Sequence, residues 1–316
     1  MTHLSPAVFG MWSVSGVLLT SFCFYHLWHY DRFKCLRINH GPYSGAFKRL
    51  MTYTYLLTLP TITVYSVGNA VIKYQEGFIF HPHFGVLPKP YTEWSKAHRD
   101  AIFPLTMLFS IGFSLEMYVL VSWEFVIIRL TSLEELCFWL FLMRATASSQ
   151  DWFKSTYFLI WSCGSLTALI YVPTVSVVFR NDPLKNEAYT FLAGSIGSLA
   201  LTLSFVPILY SFPGFLRDLV RQGVDNATVI RLRKFHELNQ LRIVFRLLFV
   251  VPLVILGIDG TKPHGHPINE SVVLTDIFGM VSAFGCLVSS AITLLIFFPR
   301  NSKTEYESSH LGRLGR

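Results

Sequence analysis

Charge is scarce in this chain. Asp, Glu, Lys and Arg make up 14% of 316 residues while hydrophobic residues make up 52%, whereas an ordinary soluble domain carries about 25% charged residues. That balance argues against a water-soluble fold. Long polar stretches are lacking too: no segment between apolar runs exceeds about thirty residues, too few to build a core of its own. Only five cysteines occur, Cys23, Cys35, Cys137, Cys163 and Cys286, and none falls in a segment expected outside the cell, so no structural disulfide is predicted. Cys35, just past the first apolar run among basic residues, is a candidate for palmitoylation. Absent as well are a nucleophile with a nearby base, a glycine-rich phosphate loop and an aspartate-rich diphosphate motif, so no positive signal for an enzyme, a cofactor or a metal site is present.

What the sequence has is apolar runs of bilayer length. A hydrocarbon core of roughly 30 Å needs about 20 apolar residues per helix, and runs at 7–28, 50–72, 102–129, 155–178, 189–212, 241–258 and 273–298 meet that need. The expected architecture is an all-α membrane protein: one seven-helix domain over residues 1–299 and a short tail over 300–316. The first run is longer than a signal-peptide core and reads as a retained anchor. Lys and Arg favour the cytoplasmic side of a membrane. Eighteen lie after runs 1, 3, 5 and 7 and seven in the alternate segments, which predicts the N-terminus outside and the C-terminus inside. The sequon Asn269-Glu270-Ser271 then falls outside and Asn226-Ala227-Thr228 inside. Ser132-Leu133-Glu134-Glu135 has the form of a capping box, which makes Leu133–Met143 an interfacial helix; an eighth span over 133–150 is the alternative, and the charge rule disfavours it.

Ionisable groups inside spans need a partner or a wet cavity. Glu116, in the middle of the third run, shares a helical face with Gly112, Leu120 and Trp123, a face expected to point inward. Glu124 and Arg246 lie at matched depth in runs 3 and 6 and are candidates for an inner-side switch; the alternative is that Arg246 snorkels and Glu124 bonds a hydroxyl. At the outer side, Asp259 and Asp276, with Glu116, are candidate ligand-binding acids for a small polar or cationic ligand. His264 and His266, and His81 and His83, lie in outer loops without the spacing of a metal site. His26, His29 and Asp31 are a poor match to a histidine box. Gly194, Gly197, Ser198, Gly279, Ser282 and Gly285 permit close helix packing, and Pro60, Pro173, Pro207 and Pro252 sit within spans. From Pro213 to Gln240 a basic segment runs into the sixth span, with Pro213 able to open a helix, Gly223 to close it and Asp225 or Asn226 to cap the next. Arg217, Arg221, Arg231, Arg233 and Lys234 mark it either as a partner surface or as an orientation signal resting on anionic headgroups.

This layout resembles a G-protein-coupled receptor, of the fungal nutrient or cyclic-AMP-receptor-like kind. The resemblance is architectural. Run 3 ends Val126-Ile127-Ile128-Arg129 without an acidic-Arg-Tyr triad, run 7 ends Phe297-Phe298-Pro299-Arg300 without an Asn-Pro-x-x-Tyr motif, and run 7 has no lysine for a retinal Schiff base. The resemblance implies a receptor in the plasma membrane with a heterotrimeric G protein as its cytoplasmic partner. A carrier using Glu116, or a membrane-embedded lipid or terpenoid enzyme using Glu116 and Asp276, are the alternatives. The +7 net charge reflects topology rather than nucleic-acid binding.

Overall fold

The computed structural model describes residues 4–33, 44–81, 85–131, 156–221, 223, 226–263 and 265–297. Within them are seven α-helices, α1 (Pro6–Asp31), α2 (Ser44–Glu76), α3 (Lys96–Thr131), α4 (Thr156–Val178), α5 (Pro183–Arg221), α6 (Asn226–Thr261) and α7 (Val272–Phe297). Each expected apolar run falls on its own helix. Five of the helices are long and apolar enough to cross a membrane, over Pro6–His29, Thr52–Glu76, Lys185–Arg221, Leu232–Thr261 and Val272–Ile296; α4 contributes the shorter apolar stretch Leu169–Val178. The chain is therefore an all-α, multi-pass membrane protein. The segment 133–150, with its choice between interfacial helix and eighth span, lies outside the described residues.

Local chemistry sets several helix ends. Ser5 caps α1, its hydroxyl accepting from the Val8 amide at 3.4 Å, and Pro6 occupies the first turn, where its missing N–H costs nothing. Gly77, at φ 82°, ends α2, and Gly223, at φ 75°, lies between α5 and α6; only glycine adopts such backbone freely. Pro213 does not open a new helix: α5 continues through it to Arg221. Phe212, buried beside it, stacks on the His236 ring at 5.2 Å and packs on Phe235, and this contact with α6 offsets the one backbone bond that proline removes.

The helices close into a ring in the order α1, α2, α3, α5, α6, α7, with α7 returning to α1, while α4 packs outside against α3 and α5. Aromatic side chains fill much of the ring. Phe9 meets Tyr65 at 5.8 Å, Tyr65 meets Phe109 at 4.7 Å, Phe109 meets Phe113 and Phe191 at 5.4 and 5.2 Å, and Phe249 meets Phe113 and Trp12 at 5.8 and 6.0 Å. One cluster thus ties α1, α2, α3, α5 and α6, each pair adding on the order of 1 kcal/mol beyond its buried area. Between α1, α2 and α7 a small cavity of about 20 Å³ remains, lined in part by Ser15, Thr58 and Ser290; it has room for roughly one water.

Glycine decides how closely the ring closes. A Cβ on Gly285 of α7 would lie 2.5 Å from the Phe249 amide nitrogen and 2.7 Å from the Phe245 carbonyl oxygen of α6. Backbone cannot yield there as a side chain can. Gly285→Ala is expected to lower stability by about 1–3 kcal/mol through overpacking, read as a drop in the melting temperature of the purified protein, while Gly10→Ala, with nothing within 4 Å of its Cβ position, leaves it unchanged. Equal melting temperatures for the two variants would show that α6 and α7 do not touch at Gly285.

Candidate functional site

The end of the bundle that holds the α2–α3 and α6–α7 connections is built around fixed carboxylates. Gly77 leads into an antiparallel hairpin, β1 (Phe78–His81) and β2 (Gly85–Pro88), which pairs Phe78 with Pro88 and His81 with Gly85. Glu76, its side chain 7% exposed, accepts from the Ser95 amide at 2.9 Å and from Lys89 Nζ at 3.3 Å, and lies 2.6 Å from His98 Nδ1. It pins the hairpin to the start of α3. Neither the span pattern nor any motif in the sequence draws attention to this hairpin or to Glu76.

Asp259, near the end of α6 and 1% exposed, has a structural task. Its Oδ2 accepts from the Ile268 and Asn269 amides at 3.1 and 2.8 Å, and Lys262 Nζ approaches Oδ1 at 3.4 Å. His266 Nδ1 sits 2.6 Å from the Asp259 carbonyl oxygen. One carboxylate thus ties the end of α6 to the Ile268–Asn269 stretch that precedes α7. Asn269 is fully buried, its Nδ2 donating to the Leu256 carbonyl at 3.1 Å; a glycan at this sequon has no room unless this connection opens.

Asp276, one turn into α7, accepts from the Ser5 amide at 3.1 Å. Lys73 of α2 donates to the Leu4 carbonyl at 2.7 Å, lies over the Phe9 ring at 4.6 Å, and feels the charges of Glu187 and Asp276. The acids predicted as a ligand site therefore have basic neighbours that the sequence did not assign: Lys262 for Asp259 and Lys73 for Asp276. Lys73 is invisible to span reading because it lies in the last turn of an apolar helix, where a lysine is ordinarily an interfacial anchor. The backbone of Glu116 lies in α3; its side chain is not among those described.

The opposite half of the bundle carries a polar stripe on α6. His236, Asn239, Arg242 and Arg246 recur at helical spacing and are all buried. Arg246, 5% exposed, donates from Nε to Thr202 Oγ1 at 3.1 Å and from Nη2 to Ser198 Oγ at 2.8 Å, both on α5. It turns into the bundle rather than snorkelling to its surface. Arg242 lies over the Phe205 ring at 5.3 Å. Glu124 lies on α3, its side chain outside those described. Further hydroxyls join helices: Ser176 of α4 bonds Ser110 of α3 and, at 2.8 Å, Thr190 of α5, which donates to Asn186 at 3.1 Å. Ser282 of α7 donates to the Phe249 carbonyl at 2.8 Å and Trp12 to the Gly279 carbonyl at 3.2 Å. Beyond the polar stripe, α5 and α6 run on as a helical hairpin on which Arg217, Arg221, Arg233 and Lys234 are exposed. The pairs Arg221–Asp218 and Arg233–Glu237, at 3.6 and 3.4 Å, are exposed as well and add little stability. Among the described residues no cluster of three His, Cys, Asp or Glu could hold a metal, and Cys23 and Cys286 are buried thiols rather than disulfides.

No protein-family model and no curated protein matches the chain. The class stated from the fold, a multi-pass helical membrane protein, thus rests on the helices themselves.

Replacing Asp259 by Ala leaves two amides and an ammonium without their acceptor, at a cost of about 1–3 kcal/mol for a lost buried hydrogen-bonded group. Hydrogen exchange should then accelerate at the Ile268 and Asn269 amides while the aromatic centre stays protected. Unchanged exchange at both amides would show that the carboxylate does not hold this connection.

Proposed function

We propose that this chain is a seven-span, receptor-like protein, with the end that holds Asp259 and Asp276 facing outward and the α5–α6 hairpin as its cytoplasmic output surface. The observation that carries the reading is the length of that hairpin. At about 1.5 Å per residue, α5 (39 residues) and α6 (36 residues) are roughly 58 and 54 Å long, well beyond a hydrocarbon core of about 30 Å. The surplus lies at the polar, basic end, where Arg217, Arg221, Arg233 and Lys234 are exposed on helices continuous with the membrane segments, and Arg231 belongs to the same stretch of α6. A simple orientation signal needs only charge, whereas a rigid extension packed through Phe212, Phe235 and His236 delivers helix tilt to a partner. Pro252 within α6 provides a point for such tilt.

A small ligand enters at the outer end near Asp276, with Glu116 deeper on α3 and Asp259 shaping the rim. The inner switch joins Arg246 to Glu124 across α6 and α3, with Ser198 and Thr202 holding the guanidinium in position. The partner is a heterotrimeric G protein and the default address is the plasma membrane.

Topology and output are tested together. Glycosylation reporters at residues 82–84, in the 222–225 turn and in the tail after residue 300 should be modified only at 82–84; modification of the turn or the tail overturns the orientation. With the purified protein in nanodiscs, guanine-nucleotide exchange by the host's heterotrimeric G protein should fall about tenfold or more when Arg217, Arg233 and Lys234 are all changed to Glu, as expected for losing charge complementarity. Exchange that never responds to the native protein would sink the receptor reading.

A further inference from the structure

The contacts of Lys73 and Asp276 converge on one peptide group. Lys73 Nζ donates to the carbonyl oxygen of Leu4, and the amide of the next residue, Ser5, donates to Asp276 Oδ1. The oxygen and nitrogen of the single Leu4–Ser5 peptide unit are thus read by an ammonium from α2 and a carboxylate from α7. A peptide group offers each of these ions only a partial charge. A molecule carrying a full carboxylate and a full ammonium one carbon apart satisfies both better, because two opposite full charges attract more strongly than a charge and the partial charges of a peptide group.

The surroundings specify the rest of such a molecule. Leu4 is 3% exposed, and a Cβ on Gly279 would meet Leu4 Cδ2 at 2.9 Å and Val8 Cγ1 at 2.6 Å, so the glycine leaves space for an aliphatic side chain beside the two charges. Phe9 lies beneath the ammonium at 4.6 Å, and Glu187 acts on it electrostatically. Lys73 and Asp276 are only partly buried, so the site opens to the membrane exterior once the segment before α1 withdraws.

We propose that the Leu4–Ser5 segment is a built-in plug, and that the site it fills binds a small aliphatic α-amino acid, carboxylate on Lys73, ammonium on Asp276 and side chain in the place of Leu4. This deepens the reading of an outward ligand site given above and rests on it for orientation alone.

The test uses the full chain in nanodiscs and radiolabelled L-leucine as the probe. Saturable binding is expected, and Ser5→Pro should tighten it about fivefold or more by weakening the plug. Ser5 has φ −70° and ψ 160°, so proline fits the backbone and removes only the N–H that Asp276 accepts, together with the hydroxyl cap. Ser5→Ala removes the cap but keeps the N–H to Asp276, and should tighten binding less than Ser5→Pro does. Asp276→Asn and Lys73→Gln should each weaken binding by about tenfold or more, the scale of one charge-assisted contact, and isoamylamine, which lacks the carboxylate, should not compete. Size-exclusion profiles matching the native protein show that each variant is folded. The proposal is overturned by absence of leucine binding to both the native and Ser5→Pro proteins, by binding indifferent to Asp276→Asn and Lys73→Gln, or by competition from isoamylamine equal to that from leucine. No signalling is read in these measurements, so failure here leaves the G-protein result standing, and failure of nucleotide exchange leaves the amino-acid site standing.

Discussion

Helices in a bilayer gain little from hiding apolar surface, since lipid is as apolar as leucine; they associate where backbones pack closely and where polar groups find partners. In this chain the controlling contact is the approach of α7 to α6 at Gly285. Beside it, Ser282 donates to the Phe249 carbonyl and the Phe249 ring meets Trp12 and Phe113, so the close approach adjoins the aromatic centre. Gly257 does the same for α6 and α5, where a Cβ would lie 2.9 Å from the Leu192 backbone. α6 is thus held on both flanks by contacts that tolerate no added atom, and it is the helix that continues into the basic hairpin.

Polar groups inside the ring follow from the same solvent argument. An unsatisfied donor or acceptor in hydrocarbon costs several kcal/mol, and the chain answers with hydroxyls: Ser110, Ser176 and Thr190 join three helices, and Ser198 and Thr202 receive a guanidinium. These are weaker partners than a carboxylate. The hydroxyl pair fixes where the Arg246 guanidinium sits, between α5 and α6 and inside the bundle.

Much of the fold was legible in the sequence, since a 20-residue apolar run has few other uses, although α5 and α6 extend well past their runs on the basic side. Gly223 and the continuity of α6 through the basic segment were readable for the same reason: turn chemistry and helical periodicity are local. Pro213 misled because its tolerance depends on Phe212 meeting His236 across two helices, a contact no local pattern announces. The candidate site was legible as a set of acids but not as a set of tasks. Asp259 and Asp276 share composition and depth, yet one is spent on two backbone amides nine and ten residues on, and the other faces the segment before α1. Only tertiary placement separates those roles. Lys73 and Glu76 were missed because terminal-turn charges are so often anchors that sequence alone assigns them nothing more.

A tethered plug changes how affinity should be read. A segment joined directly to α1 competes at an effective concentration on the order of millimolar, and a plug seated about 99% of the time would weaken the apparent affinity of a ligand about a hundredfold. A site shaped this way ignores traces of an amino acid and responds when it is abundant. The plug also touches the right machinery, because Asp276 and Gly279 lie on the helix that packs through Gly285 on α6. Contiguity by itself is no evidence of coupling; what the structure supplies is a proline-bearing helix, α6, held on both flanks at Gly257 and Gly285. α7 is thus the helix shared by both contacts, with α1 at Asp276 and Gly279 and with α6 at Gly285, so any displacement of the segment before α1 would reach α6 through α7.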